Sequence, residues 1–236
     1  MCANYTPVTS EERLRAWFAA GHPAPAVVHY PEETWPGYPA PFVRQSRDAT
    51  APGRELAVGL FGLIPHWSKD LTIGRKTYNA RTETVAEKPS FRDAWRKGRR
   101  CIVPLDAFYE WKTLPNGKKQ PYAISRVDGG LMALAGLWES KRLADGTILR
   151  TFTIITTAAN ALLAQLHDRM PVILAAEDVP HWLGETDMPL ADVAKLLRPC
   201  PPEGLQMIPI DPRMSNVRNQ DAAFCQPIVL EEEARV

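Results

Sequence analysis

Four short stretches of this chain carry side chains that can do chemistry, and the first is at its start. Met1 is followed by Cys2. Removal of Met1 would leave Cys2 with a free α-amine and a thiol on adjacent carbons. Such a 1,2-aminothiol condenses with an aldehyde: the amine forms an imine and the thiol closes a five-membered thiazolidine ring. An α-amine has an ordinary pKa of about 7.7 to 8.0, so a useful fraction is neutral and nucleophilic near physiological pH. On position alone, Cys2 is also simply one residue of a terminus of the kind that frays.

The second stretch is Asn79-Ala80-Arg81-Thr82-Glu83-Thr84. Asn79 can donate and accept at once, which suits a hydroxyl or carbonyl, and Arg81 offers the planar fork that grips phosphate in bidentate fashion. The third is Phe108-Tyr109-Glu110-Trp111-Lys112. Strand alternation places Phe108, Glu110 and Lys112 on one face and Tyr109 and Trp111 on the other. A carboxylate in so apolar a run is expensive to bury without a partner, and desolvation would tune it as an acid or base. The fourth is Leu166-His167-Asp168-Arg169-Met170-Pro171-Val172, in which His167 has the titration range for proton transfer. Read structurally, the same stretches are a capped turn, an edge strand with a Glu110–Lys112 pair, and a histidine at a helix end. His22, His29, His66 and His181 lack comparable polar company. Cys2, His167 and either Asn79 or Glu110 could equally form a thiol hydrolase, and spacing does not separate that from aldehyde capture.

The elements that must position these groups are short. With 22 prolines, 7 tryptophans, 45% hydrophobic and 23% charged residues in 236, the chain has the composition of a globular domain able to bury a substantial core. Thr9-Ser10-Glu11-Glu12 reads as a capping box with Thr9 as N-cap, opening a helix over 10–20 with Leu14, Trp17 and Phe18 on one face. The proline-rich stretch 21–54 reads as irregular. Strands are expected at 56–64, 101–105, 107–112, 121–126, 131–138, 149–156, 170–174 and 205–210, and short helices from Pro89 to Gly98 and at 158–166, 177–184 and 190–198. Asn116-Gly117, Asp128-Gly129-Gly130 and Asp145-Gly146 mark turns between adjacent strands. Hairpin-linked strands predict a single α+β domain, 1–236, around a strongly bent antiparallel sheet with a barrel-like core and flanking short helices. Residues 228–236 are expected to form a loose acidic tail.

Formal charge is +1, but residues 69–119 hold 13 Lys/Arg against 6 Asp/Glu, a net of +7, leaving −6 elsewhere. A basic segment in a near-neutral protein points to one anionic partner. No apolar run approaches the ~20 residues of a membrane span, and the N-terminus lacks a secretory pattern. Cys2, Cys101, Cys200 and Cys225 include no CxxC pair, which predicts a reduced, cytoplasmic protein without metal or cofactor.

Together the four stretches, in this order and spacing, resemble the SRAP family (SOS response-associated peptidase, abasic site processing proteins). Gly62-Leu63-Ile64-Pro65-His66-Trp67 and Asn216-Val217-Arg218-Asn219 are similar to further family segments. The resemblance implies recognition of abasic sites in single-stranded DNA and capture of the ring-opened sugar by the N-terminal cysteine as a thiazolidine crosslink. It implies Cys2 as nucleophile, Glu110 as proton shuttle, His167 as acid/base for sugar opening, Asn79 as positioning group, Arg81 as phosphate clamp, Trp67 as a stacking or wedging residue, and Thr156 as a further DNA contact. It leaves room for lyase and self-processing activities, and implies a monomer and a nucleoid-associated place of action; a non-catalytic reader of modified DNA is the remaining alternative. The chain departs from many relatives at Ala3-Asn4, where Gly-Arg is common, at Pro39 in place of Asn, and at Pro89 in place of Arg. These changes predict an altered grip on DNA around an intact reaction centre.

Overall fold

The computed structural model describes residues 2–19, 33–48, 50, 52–216 and 222–230. In chain order the regular elements are β1 (Tyr5–Pro7), α1 (Glu11–Phe18), β2 (Pro39–Gln45), β3 (Arg54–Phe61), β4 (Asn79–Arg81), α2 (Arg92–Arg96), β5 (Arg100–Thr113), β6 (Lys119–Arg126), β7 (Met132–Arg142), β8 (Ile148–Ala158), β9 (Arg169–Pro171), α3 (Asp178–Leu183), α4 (Leu190–Lys195) and β10 (Leu205–Pro209). Five of the strands close a ring: β5 pairs with β2, β2 with β3, β3 with β8, β8 with β7, and β7 with β5. The expected barrel-like α+β core is therefore observed. β6 and β10 extend one side, β1 lies on β5, and β4 and β9 lie on β8.

Both faces of the ring strands are buried, which is why they read as unbroken apolar runs. Phe42, Cys101, Val103, Phe152 and Ile154 pack in one cluster. Their neighbours Val43, Ile102 and Ile155 pack in another, with Leu14, Phe18, Trp95 and Trp182 from the helices. The first cluster contains a run of aromatic contacts, Tyr5 to Phe61 at 5.4 Å, Phe61 to Phe152 at 5.5 Å and Phe152 to Phe42 at 5.5 Å.

Several sequence expectations change for identifiable reasons. The strands expected at 101–105 and 107–112 are one strand, β5, which continues through Asp106 while exchanging partners. Residues 100–105 pair with β7 and 107–113 with β6. The stretch 21–54, read as irregular, contains β2, whose prolines are accommodated because Pro39 opens the strand and Val43 makes its one pairing with β5. The helix expected at 158–166 is replaced by the end of β8 and a single 3-10 turn at Leu163–Gln165, since Thr157 and Ala158 pair with Met170 and Arg169. α1 is capped by Ser10, not Thr9: Ser10 Oγ accepts the Arg13 N–H at 3.2 Å. Trp17 stays about half exposed while Leu14 and Phe18 are buried. α2 starts at Arg92, three residues after Pro89. Of the expected tail, Ile228 donates to Pro209 O at 3.0 Å and Leu230 packs on the core. Residues 217–219 and 231–236, together with Met1, His22 and His29, lie outside the described residues.

β3 ends at Gly62, whose φ of 126° turns the chain away. A Cβ there would sit 2.3 Å from Gly74 O. The excursion 62–77 is closed by this contact, by Thr77 Oγ1 donating to Leu63 O at 2.6 Å, and by Asp70 Oδ1 accepting the Thr72 N–H at 2.8 Å. It delivers Trp67 to the surface and returns the chain at Tyr78, just before β4. Gly62→Ala should therefore lose about 3 kcal/mol of stability in denaturant unfolding, from strain at positive φ and a backbone collision together. Gly204→Ala, which meets nothing within 4 Å, should change it by under ~0.5 kcal/mol.

Candidate active site

Cys2 is led to its place by β1. Tyr5 pairs with Phe108, and the Tyr109 N–H donates to Asn4 O at 3.0 Å, so the N-terminal segment lies along the part of β5 that carries Glu110. Asn4 is fully buried and its Nδ2 donates to Glu33 Oε2 at 2.7 Å, while Thr34 bridges Tyr5. The terminus is thus held on two sides instead of frayed, and position 4 is an internal tie. The expected loss of a surface cation there gives way to a buried amide–carboxylate pair.

Cys2 is 1% exposed. Burial raises its thiol well above the ordinary value, and the neighbouring Glu110 raises it further. Glu110 is itself only 4% exposed, so the sequence reading of a carboxylate inside an apolar strand holds. The predicted alternation also holds: Phe108 belongs to the cluster that contains Cys2, whereas Tyr109 and Trp111 pack with Ile210 and Met214 on the other face.

Asn79 and Arg81 ride on β4, which pairs in parallel with β8, Asn79 with Ile154 and Arg81 with Thr156. Asn79 Nδ2 donates to Tyr78 O at 3.0 Å. Its Oδ1 is buried and accepts no hydrogen bond among the described residues. A buried acceptor left open in this way is available to a donor on a ligand. Arg81 is exposed. Thr156 is fully buried and its hydroxyl donates to Ala80 O at 3.3 Å. That hydrogen bond helps to hold β4 on β8.

His167 follows the 3-10 turn, and its N–H donates to Leu163 O at 2.9 Å. Its Nδ1 accepts the Arg169 N–H at 3.0 Å and lies 2.7 Å from Asp168 Oδ1. The first contact requires an unprotonated Nδ1 and leaves the proton on Nε2; protonation of the ring would turn Nδ1 toward Asp168 instead. Tyr78 and Leu166, which precede Asn79 and His167, pack against the core cluster that contains Cys2. Trp67 is 50% exposed on its loop. Among the described residues no cluster of His, Cys, Asp or Glu could hold a metal ion.

A pair of groups without an assigned role at the sequence level joins two of the stretches. Arg169 donates to both oxygens of Glu83, at 2.6 and 3.0 Å, and to Thr156 O at 2.6 Å. The Asn79–Thr84 and His167–Pro171 stretches are thereby locked together. Both residues were visible in the motifs, but they stand 86 positions apart, and opposite charge alone does not choose a partner. His66, expected to lack polar company, lies 3.4 Å from Glu139 and 3.9 Å from Asp93.

The hydrogen bonds from Arg169 hold the Glu83 carboxyl down to about 2, from an ordinary 4.5. A lowered carboxylate contributes its stability in full above the ordinary value and loses it as pH falls toward the folded one. Hydrogen exchange in 79–83 and 167–169 should therefore quicken as pH drops from about 4.5 to about 2, relative to the barrel strands. Glu83→Gln should show the quickened pattern at neutral pH and no further step in that window. The effect should stay under about 1 kcal/mol because Glu83 is half exposed.

A closed five-stranded ring with a buried thiol at position two, a buried carboxylate on β5, an open amide on β4 and a histidine just before β9 defines the class: an α+β barrel protein. The family of the SOS response associated peptidase (SRAP) matches residues 1–217, and the chain belongs to it. It is 42% identical over 159 residues to the abasic site processing protein YoqW of Bacillus subtilis, covering 67% of this chain and 70% of that one. It is 32% identical over 211 residues to the abasic site processing protein HMCES of Xenopus tropicalis, covering 79% of this chain and 62% of that one. Among solved structures, a protein from Bacteroides thetaiotaomicron superposes with a TM-score of 0.80 at 27% identity, over 97% of this chain and all of that one. One from Bordetella bronchiseptica gives 0.77 at 33% identity, over 89% of this chain and all of that one.

Proposed function

We propose that this protein processes abasic sites in single-stranded DNA by capturing the ring-opened sugar on Cys2. The observation that carries the reading is the burial of Cys2 against Glu110 on a clamped N-terminal strand. The names of the relatives support the substrate class. An abasic nucleotide has no base to unstack, so admitting it to a pocket is cheaper than flipping an intact one.

The chemistry follows from the groups present. His167 donates its Nε2 proton to the ring oxygen and takes up the proton of the C1 hydroxyl in exchange, as the hemiacetal opens to an aldehyde. The neutral α-amine of Cys2 adds to that carbon, and the carbinolamine loses water with a proton supplied through Glu110. The Cys2 sulfur then adds to the imine carbon, its proton passes through Glu110 to the nitrogen, and the thiazolidine closes. Asn79 Oδ1 accepts from a sugar hydroxyl or from the amine. Arg81 holds a flanking phosphate and Trp67 stacks on a neighbouring base. If the imine instead loses a proton from the adjacent sugar carbon, β-elimination cuts the strand, which is the lyase branch.

A raised thiol suits this order of events, because the amine attacks first and a protonated thiol adds second. It suits a thiol peptidase poorly, since a peptidase cysteine is activated by a cationic neighbour that lowers its pKa. The deciding experiment mixes the mature protein with a single-stranded oligonucleotide containing one abasic site and resolves the products on a denaturing gel. A slowly migrating adduct should form, vanish in Cys2→Ala, and be absent when intact mass shows that Met1 is retained. Peptide cleavage without an adduct would instead select the peptidase, and salt-sensitive binding without either would leave a non-catalytic reader.

Asn79→Ala separates function from fold. Since its Oδ1 is a buried acceptor without a protein partner among the described residues, removal should leave the unfolding midpoint unchanged or raise stability by up to about 1 kcal/mol. Adduct formation should slow by roughly tenfold or more, the cost of one hydrogen bond to the reacting sugar. A loss of both stability and rate would make Asn79 a structural residue.

A further inference from the structure

A further cluster of charge lies against the loop that carries Trp67. Trp138, only 3% exposed, carries three guanidinium groups over its indole: Arg44 at 3.9 Å from the ring centroid, Arg47 at 4.6 Å and Arg99 at 5.7 Å. A fourth, Arg150, is close enough to act electrostatically on Arg44. They come from β2, the turn after it, the approach to β5, and β8. Arg44 is paired with Glu55 and Arg99 with Glu139. Asp93 lies near Arg99 and His66, and Asp48 accepts from Thr50 in the turn that holds Arg47. Burial lowers Arg44 and Arg99 first, and neighbouring arginines lower them further. Arg47 and Arg150 are exposed.

Like charges gathered this closely repel, and the carboxylates of Glu55 and Glu139 offset only the inner pair, Arg44 and Arg99. The outer pair, Arg47 and Arg150, is exposed, and a guanidinium fork open to solvent is suited to phosphate. The cluster also adjoins the Trp67 loop: Glu139 contacts His66, and Lys141 Nζ donates to His66 O at 3.1 Å. The cluster is thereby joined to the loop that carries Trp67.

We infer that Arg47 and Arg150, backed by Arg44, Arg99 and Trp138, form a second phosphate site that grips the DNA backbone next to the Trp67 loop. This rests on the DNA-processing reading above and adds a place for the strand to run.

The test keeps binding and chemistry apart. Binding is read by anisotropy with single-stranded oligonucleotides carrying a tetrahydrofuran spacer, which has no aldehyde, at several salt concentrations. Cys2 chemistry is read by intact mass with 2-deoxyribose 5-phosphate, which is too small to reach the cluster. In R47Q/R150Q the slope of log K against log salt should become shallower by roughly 1.4, since each single-strand phosphate no longer neutralised takes away ~0.7. The small-aldehyde rate should stay at the wild-type value, and R47K/R150K should keep most of the slope. An unchanged slope in R47Q/R150Q would overturn the site. If wild type forms no adduct with the small aldehyde, the Cys2 mechanism fails while the slope still decides the phosphate site. Should the double variant lose the small-aldehyde reaction through misfolding, R150Q alone, on the exposed side of β8, should still lower the slope by about 0.7.

Discussion

The hydrogen-bonding capacity of one strand organises this protein. β8 is engaged along both edges: β7 and β9 occupy one, β3 and β4 the other. Backbone groups buried this deeply must be paired, so every strand laid on β8 has its register fixed by the strand itself. The barrel half of β8 closes the ring through β3 and β7. The other half, Ile154 to Ala158, carries β4 with Asn79 and Arg81, and β9, which follows His167. Support and site are consecutive stretches of a single strand, so a shift of β8 by one residue would turn every side chain on it to the wrong face.

Onto that frame the N-terminal segment is added through β5. β1 has three residues, too few to hold itself, and is secured by Tyr109, Thr34 and the buried Asn4–Glu33 pair. Burial raises the Cys2 thiol and Glu110 raises it further, which under the proposed mechanism leaves the amine to react first. The Arg169–Glu83 pair supplies the remaining join, tying the β4 segment to the segment that bears His167. Because Glu83 is half exposed, this join is worth little as stability and more as orientation.

Much of the fold was legible because periodicity survives in short strands. The alternation of Phe108, Glu110 and Tyr109, the turn signals at Asn116-Gly117 and Asp145-Gly146, and the adjacency of the hairpin strands all led to the observed sheet. The failures share one cause. Asp106 looks like a break, yet β5 passes through it; 158–166 looks helical, yet half of it is strand or turn. In each case a pairing partner distant in sequence claimed the backbone, and local propensity had no means of registering that partner.

For the site, the sequence by itself determined the chemical inventory: a cysteine at position two, a glutamate inside an apolar strand, an amide and a guanidinium in one hexapeptide, and a histidine before a strand. Residue type fixes what a group can donate, accept or attack, and no folding is needed to know it. Only the tertiary structure decided which of these groups meet and in what state. It placed Cys2 beside Glu110, buried Thr156 under β4, turned Asn4 inward to Glu33, and gathered Arg44, Arg47 and Arg99 from three separate segments around Trp138. Those outcomes depend on strand register and on burial, which are properties of the closed sheet as a whole and are written in no single stretch of the chain.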